Sequence, residues 1–238
     1  MGLVYIFAAS PMEAEPVRKI AVPLDSQSSA HYGANDVVLL SGAIGPGNAK
    51  SKAEAALSDG KPDAILVIGL CGGLTPSLPE GRIVVYTDCL STEAASPTLP
   101  CSRSLADSVA AVLASSGFLC DRVVGITSPR IATTRNERLD LAKYGASAVD
   151  MESYSILESA AAAGVPAAVL RVVADSMDRV LPNLNRALNE TGGLDGRKAL
   201  KVALGSPLRT ARLVAANKRA MQHLGKALEI VLKTPFLA

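Results

Sequence analysis

From Ala148 to Asp178 the chain reads A-V-D-M-E-S-Y-S-I-L-E-S-A-A-A-A-G-V-P-A-A-V-L-R-V-V-A-D-S-M-D. A short apolar run is followed by a helix of small residues and then by a longer apolar run that ends in an acid. The pattern is strand, helix, strand, and the nearly unbroken apolar character of 167–174 suits a strand covered on both faces. Glu152 and Asp175 are therefore expected at the C-terminal ends of two successive strands, the edge at which open α/β sheets bind ligands. Burial at such an edge raises a carboxyl's pKa toward neutrality, so it can act as a general acid or hold a sugar hydroxyl. The plainer alternative makes Asp150 and Glu152 loop acids and Asp175 a helix cap.

The alternation continues along the whole chain. Strands are expected at 3–9, 37–42, 64–69, 82–87, 122–127, 147–151 and 167–174, with helices at 12–20, 47–58, 104–116, 135–144, 153–163 and 183–190. Gly60-Lys61-Pro62-Asp63 and Gly164-Val165-Pro166 punctuate helix-to-strand connections. This order implies a three-layer α/β/α sandwich around a central mixed sheet, forming one domain over 1–238 with a basic helical tail from about 197. The longest irregular stretch is 91–103.

Composition excludes several classes. Four cysteines (Cys71, Cys89, Cys101 and Cys120) form no C-x-x-C pair, and the only histidines are His31 and His223. No metal site is expected, and scattered thiols fit a reducing compartment. The first apolar run is too short for a signal peptide core, and no run approaches a membrane span. The Gly42, Gly45 and Gly47 spacing is G-x-x-G-x-G, which does not match a dinucleotide-binding turn. The turn still sits between a strand and a helix N-terminus, where backbone N–H groups can approach a ligand.

Four blocks occur in order: the first strand with S-P-M-E-A-E (Ser10 to Glu15), S-G-A-I-G-P-G (Ser41 to Gly47), V-I-G-L-C-G-G-L (Val67 to Leu74) with E-G-R-I-V-V after it, and the D-M-E to Asp175 segment. Together they resemble the purine nucleoside phosphorylase and nucleosidase superfamily over nearly the whole chain. R-V-V-A-D-S-M-D-R-V-L-P (Arg171 to Pro182), D-G-R (Asp195 to Arg197) and the basic tail look most like hopanoid-associated phosphorylases.

The resemblance implies cleavage of a purine N-glycosidic bond without a cofactor. Asp175 matches the purine acid and Glu152 the group that grips ribose hydroxyls, with Met151 on the sugar face. Glu15 matches the carboxylate that positions or deprotonates an attacking water. Gly45, Leu70, Cys71 and Gly72 match the ribose and nucleophile pocket. Arg130 and Ile131 lie in the loop expected over the base, with contacts made largely by backbone. The phosphorylases' phosphate-binding arginine and serine fall on Val67 and Leu70 here, so water is the expected nucleophile. A 5′-substituted adenosine, adenosylhopane among them, is the implied substrate. The implied setting is a cytoplasmic homodimer. A phosphate-dependent phosphorylase and a non-catalytic nucleoside-binding module stand as alternatives.

From Arg197 onward there are nine Lys or Arg residues and one acid, Glu229. The net +2 therefore divides into +8 in the tail and −6 elsewhere. Leu213, Ala216, Ala220, Leu224, Ala227, Leu228 and Val231 recur at helical spacing. This stripe either packs on the sandwich or enters an anionic membrane surface. Nucleic acid is not an expected partner, since no aromatic residues interleave the charge.

Overall fold

Five strands of the central sheet close on themselves. In the computed structural model, which describes residues 2–20, 22–23, 29–33, 35–189, 193 and 195–234, β5 (Ala64–Gly73) pairs in parallel with β10 (Ala167–Asp175). β10 pairs antiparallel with β6 (Ile83–Ser91), and β6 pairs in parallel with β8 (Cys120–Thr127). β8 runs parallel to β9 (Ala148–Asp150), which returns antiparallel to β5 through Gly72 and Gly73. Beyond β5 the sheet continues through β1 (Gly2–Ala8), β4 (Asn35–Ser41), β3 (Ser29–Tyr32) and β2 (Val22–Pro23). The sheet is mixed and has helices on both sides, as the alternating pattern predicts, while its closure into a small barrel was not legible.

The two apolar layers follow from the pleat, since successive side chains of one strand point to opposite faces. Val4, Ile6, Leu66, Ile68, Leu170 and Val172 face one cluster, covered by α1 (Pro11–Ile20), α3 (Arg103–Ser115) and α7 (Pro207–Val231). Tyr5, Phe7, Ile65, Val67 and Val169 face the other, covered by α2 (Pro46–Asp59) and α5 (Ser153–Ala162). All nine residues of β10 are buried, which explains its continuous apolar run. A third, small cluster under α4 (Arg135–Ala142) holds Leu74, Ile126, Ala146 and Val149.

The helix expected at 183–190 is only a 3₁₀ turn at Leu184–Ala187, held short behind Pro182; residue 190 lies outside the described residues. The irregular 91–103 stretch contains β7 (Leu99–Pro100), paired with β6. The tail is two helices, α6 (Gly196–Gly205) and α7, broken at Gly205-Ser206-Pro207.

The stripe on α7 turns inward. Ala216, Ala220, Leu224, Ala227, Leu228 and Val231 are buried against β-sheet and α3, so this face cannot also enter a membrane. Leu224 is completely buried in that cluster. Leu224→Ala is expected to cost about 2–5 kcal/mol of stability, the usual range for emptying a core leucine site. Urea unfolding measures the change, and a loss below 1 kcal/mol would show that α7 is not part of the core.

Candidate active site

A cavity of about 290 Å³ opens where the C-terminal ends of β1, β5, β9 and β10 meet. Asp175, Glu152, Met151, Leu70, Cys71, Gly72, Arg130 and Ile131 all line it, so the sequence-predicted residues largely converge. Two do not. Gly45 stands behind the wall rather than in it, and its N–H donates to Glu152 Oε1 at 2.9 Å. The turn before α2 thus positions a carboxyl instead of contacting a ligand itself.

Glu15 is a correction. It points away from the cavity into an outer groove, half exposed, and pairs with Lys19 at 3.6 Å. The carboxyl in the cavity belongs to Glu13, which is buried. Two helical positions differ by about 200° around the axis, so the two glutamates cannot share a face. The signal was available: Glu13 lies four residues before buried Val17, whereas Glu15 lies four before Lys19.

Glu13 is fixed by the start of α1. Ser10 N and Ser10 Oγ donate to Glu13 Oε2 at 3.0 and 2.8 Å, and Glu13 N donates to Ser10 Oγ at 3.3 Å. This is a reciprocal capping box with Pro11 at the first helical position. The other oxygen, Oε1, accepts from Leu70 N at 2.8 Å. One carboxylate therefore locks α1 to the end of β5.

Arg171, unassigned by sequence, sits behind these groups with its side chain buried. Its Nη2 donates to Ser153 Oγ at 2.9 Å, and its Nη1 donates to the Ile68 carbonyl at 3.3 Å. Its Nε is 3.4 Å from Asp150 Oδ2, and its Nη2 is 3.8 Å from Glu152 Oε2. The Nε–Asp150 contact is close enough to attract but is not aligned as a hydrogen bond. Asp150 spends its other oxygen on the turn, accepting from Thr127 Oγ1, Glu152 N and Ser153 N. The plain structural role fits Asp150, while Glu152 and Asp175 turn into the cavity.

Burial pushes the Glu152 carboxyl up to about 8; Arg171 pulls it down, while Asp150 and Glu13 push it further up. Burial likewise raises Asp175, against the pull of Arg138. Arg138 is the second residue missed by sequence. It lies on α4, whose first turn is fixed by a Thr134–Glu137 capping box. Its buried guanidinium pairs with Asp175 Oδ2 and donates to the Gly73 and Asp175 carbonyls, each at 3.3 Å. Cys71 is a small wall residue, its thiol held protonated by burial.

The loop after β8 is less open than its sequence implied. Ile131 N–H donates to Asn185 Oδ1, and Asn185 Nδ2 donates to the Ile131 carbonyl, both at 2.8 Å. A ligand that reads this backbone must displace the Asn185 carboxamide. Most of the remaining cavity wall is apolar, with Met12, Ile44, Leu181, Leu184 and Leu213, and Asn217 is a polar exception. Among the described residues, no group of three or more His, Cys, Asp or Glu is placed to hold a metal ion.

A family model described as the Phosphorylase superfamily matches residues 5–193. The chain belongs to that superfamily. Its members include the nucleosidases and nucleoside phosphorylases, enzymes that break N-glycosidic bonds. No curated protein matches the chain. Solved structures of the same fold include a futalosine hydrolase mutant of Helicobacter pylori, at 15% identity and TM-score 0.76 over 97% of this chain and 98% of that one. A 5′-methylthioadenosine/S-adenosylhomocysteine nucleosidase from Neisseria meningitidis, in complex with methylthio-immucillin-A, is similar at 17% identity and TM-score 0.76, over 98% and 99%. An H. pylori nucleosidase mutant with 5′-methylthioadenosine in its active site is similar at 14% identity and TM-score 0.76, over 97% and 98%.

The raised Glu152 carboxyl has a consequence for stability. Below about 4.5 both folded and unfolded chains keep the proton; between there and about 8 only the folded chain does. The folded state then binds more protons, so stability contributed by this group falls as pH rises through that window and is gone above it. Glu152→Gln is expected to flatten this fall, read as urea midpoints across the window. Parallel wild-type and variant curves would contradict it.

Proposed function

We propose that the chain hydrolyses the N-glycosidic bond of a 5′-substituted adenosine and releases adenine. The observation that carries this reading is the convergence of Glu13, Glu152 and Asp175 on one cavity. As the bond to the purine stretches, the base gains negative charge and the sugar becomes cation-like. Asp175, raised by burial, supplies or shares a proton at the purine. Arg138 stabilises the carboxylate left behind, which keeps the proton transferable. Glu152 holds the ribose hydroxyls with Met151 against the sugar. Glu13, rather than Glu15, orients or deprotonates the water.

Water is favoured over phosphate by what occupies the nucleophile end. Leu70 contributes an apolar side chain there, and Val67 is buried in the core of β5. The Arg138 and Arg171 guanidiniums are bound to carboxylates, and Arg18 faces the outer groove, donating to Ser41 Oγ at 3.1 Å. A phosphate dianion needs charge-assisted donors, and each of these cations is already engaged or turned away; the other arginine of the cavity wall, Arg130, is exposed on the loop after β8 rather than beside Leu70 on β5. A phosphate-dependent reaction remains the alternative.

The 5′ group is read from the groove. A larger space of about 770 Å³ runs between α1 and α7, sharing Met12 and Asn217 with the cavity and lined by Val214 and Met221. A long apolar 5′ substituent, as in adenosylhopane, fits such a channel. The 5′-methylthioadenosine bound to a similar nucleosidase supports the adenosine part. The same reading carries a homodimer, closed two-fold pairing being the commonest assembly, with light scattering as its check. It also carries electrostatic contact of Arg209, Arg212, Lys218, Arg219 and Lys226 with an anionic membrane. Among the described residues, no helix is long and apolar enough to cross one.

Adenine release from 5′-alkylthioadenosines of increasing chain length, with and without phosphate, tests this reading. Free ribosyl product without phosphate is expected; strict phosphate dependence would reverse the choice of nucleophile. Asp175→Asn and Glu13→Gln should each lower kcat by ~10²–10⁴, the scale of one acid–base group, while Glu15→Gln stays near wild type. Val214→Trp, which fills the groove, should raise KM about tenfold for long-chain substrates alone. Equal losses for short and long substrates would remove the groove from the reading. No adenine release from any adenosyl substrate would leave the non-catalytic module.

A further inference from the structure

α6 is a ten-residue helix that buries none of its residues. Leu200 and Leu204, one turn apart on one face, are 60% and 72% exposed, and Leu208 in the first turn of α7 is 75% exposed. Thr210 Oγ1 donates to the Ala203 carbonyl at 3.3 Å, which ties the two helices across the Gly205-Ser206-Pro207 corner with Leu204 and Leu208 on either side. Single exposed aliphatic residues are ordinary, but three at one elbow mark a contact surface.

The charge around the elbow identifies what it contacts. Arg197, Lys198, Lys201, Arg209 and Arg212 are all exposed. Asp195 is spent capping α6 through Arg197 N and Lys198 N at 2.9 and 3.1 Å, and no further acid occurs before Glu229. Exposed leucines on helices whose only charged residues between Asp195 and Glu229 are cations match a bilayer with anionic headgroups, which offers an apolar interior and a negative rim together.

We propose that the α6–α7 elbow is a membrane-docking wedge, with Leu200, Leu204 and Leu208 entering the interface of an anionic bilayer. The element is distinct from the inward-packed stripe of α7. It also differs from electrostatic contact alone, because the leucines carry part of the binding. Its placement relative to the cavity gives it a use: Leu213, five residues beyond Leu208 on the same helix, about 8 Å along its axis and about 140° around it, lines the cavity wall, so the cavity lies near the elbow but on another face of α7. Docking there holds the cavity beside the headgroup layer, where an adenosyl head on a long apolar chain would project. That use rests on the proposed substrate reading; the docking itself does not.

Flotation of the full chain with vesicles tests it without substrate. Binding is expected to phosphatidylcholine vesicles containing about a third phosphatidylglycerol at low salt, weakening as salt rises. Pure phosphatidylcholine should bind about tenfold more weakly or less, and Leu200→Ser/Leu204→Ser/Leu208→Ser should cost the anionic vesicles about tenfold in affinity. Since α6 buries nothing and Leu208 is itself largely exposed, that variant should fold and release adenine from a soluble adenosyl substrate at the wild-type rate. No wild-type binding would overturn the proposal, as would binding that the triple variant keeps in full. Self-association abolished by the triple variant, with no vesicle binding, would assign the elbow to a protein interface instead. If neither protein cleaves a soluble substrate, the functional reading fails while the vesicle result still decides the wedge.

Discussion

The arrangement of the cavity hangs on one buried cation. Arg171 projects from the fully buried strand β10 into a space shared with Asp150 and Glu152, and it senses Glu13 beyond them. Three carboxyls around one guanidinium leave an excess of negative charge in a medium that penalises it heavily. Burial outweighs the attraction of Arg171 and raises the Glu152 carboxyl to about 8, which favours its neutral form and relieves this excess. Removing the cation alone would strand the acids; breaking a buried pair in this way costs about 3–5 kcal/mol. The backbone is built around the same group. Gly69 has φ of +147°, and a Cβ there would collide with both the Arg171 guanidinium and Glu13, so the strand end needs glycine for space and for conformation.

Arg138 with Asp175 forms a second buried pair, and its surroundings contrast with those of the first. Asp175 has one cation and one carboxyl in direct contact, an arrangement in which a proton can leave and the charge that remains is still stabilised. Glu152 shares its cation with Asp150 and takes a backbone N–H from Gly45, which favours a stationary hydrogen-bonding group. Two carboxyls placed in different surroundings suit different roles, and the proposed reading gives the proton transfer to one and the sugar hydroxyls to the other. Nothing in the spacing of Glu152 and Asp175 along the chain separates them; the separation comes from α4 and β10, which bring different partners to each.

What the sequence revealed follows from the range of the interactions involved. Strand and helix periods are local, so β1, β5, β8, β10 and the helices between them could be read from runs of Val, Ile, Leu and Ala. Glu152 and Asp175 were legible because strand-end placement follows from the same local pattern. Arg171 and Arg138 were not, since an arginine in a strand and another on a polar helix look like ordinary charges until the fold pairs them with acids far away in sequence. Motif resemblance points to Glu15 rather than Glu13 because it supplies an order of residues without a helix phase. Closure of the barrel depends on β9, a three-residue strand whose pairing with β5 rests on Gly72 and Gly73, and no periodicity announces it.

The tail brings these threads together. The superfamily match ends at residue 193, yet Leu213 and Asn217 of α7 line the cavity and Val214 and Met221 line the groove beside it. The carboxyls of the cavity thus lie inside the part matched by the family model, while one wall of the space beside them lies outside that match. α7 is anchored by its alanine and leucine stripe, which fixes the backbone that carries its cavity-facing residues. Substitutions at Leu213, Val214 and Met221 can therefore reshape what fits beside a nucleoside without disturbing the pairs formed by Arg171 and Arg138. On this account the reaction is set by the strand ends, and the shape of the substrate by the helix that closes over them.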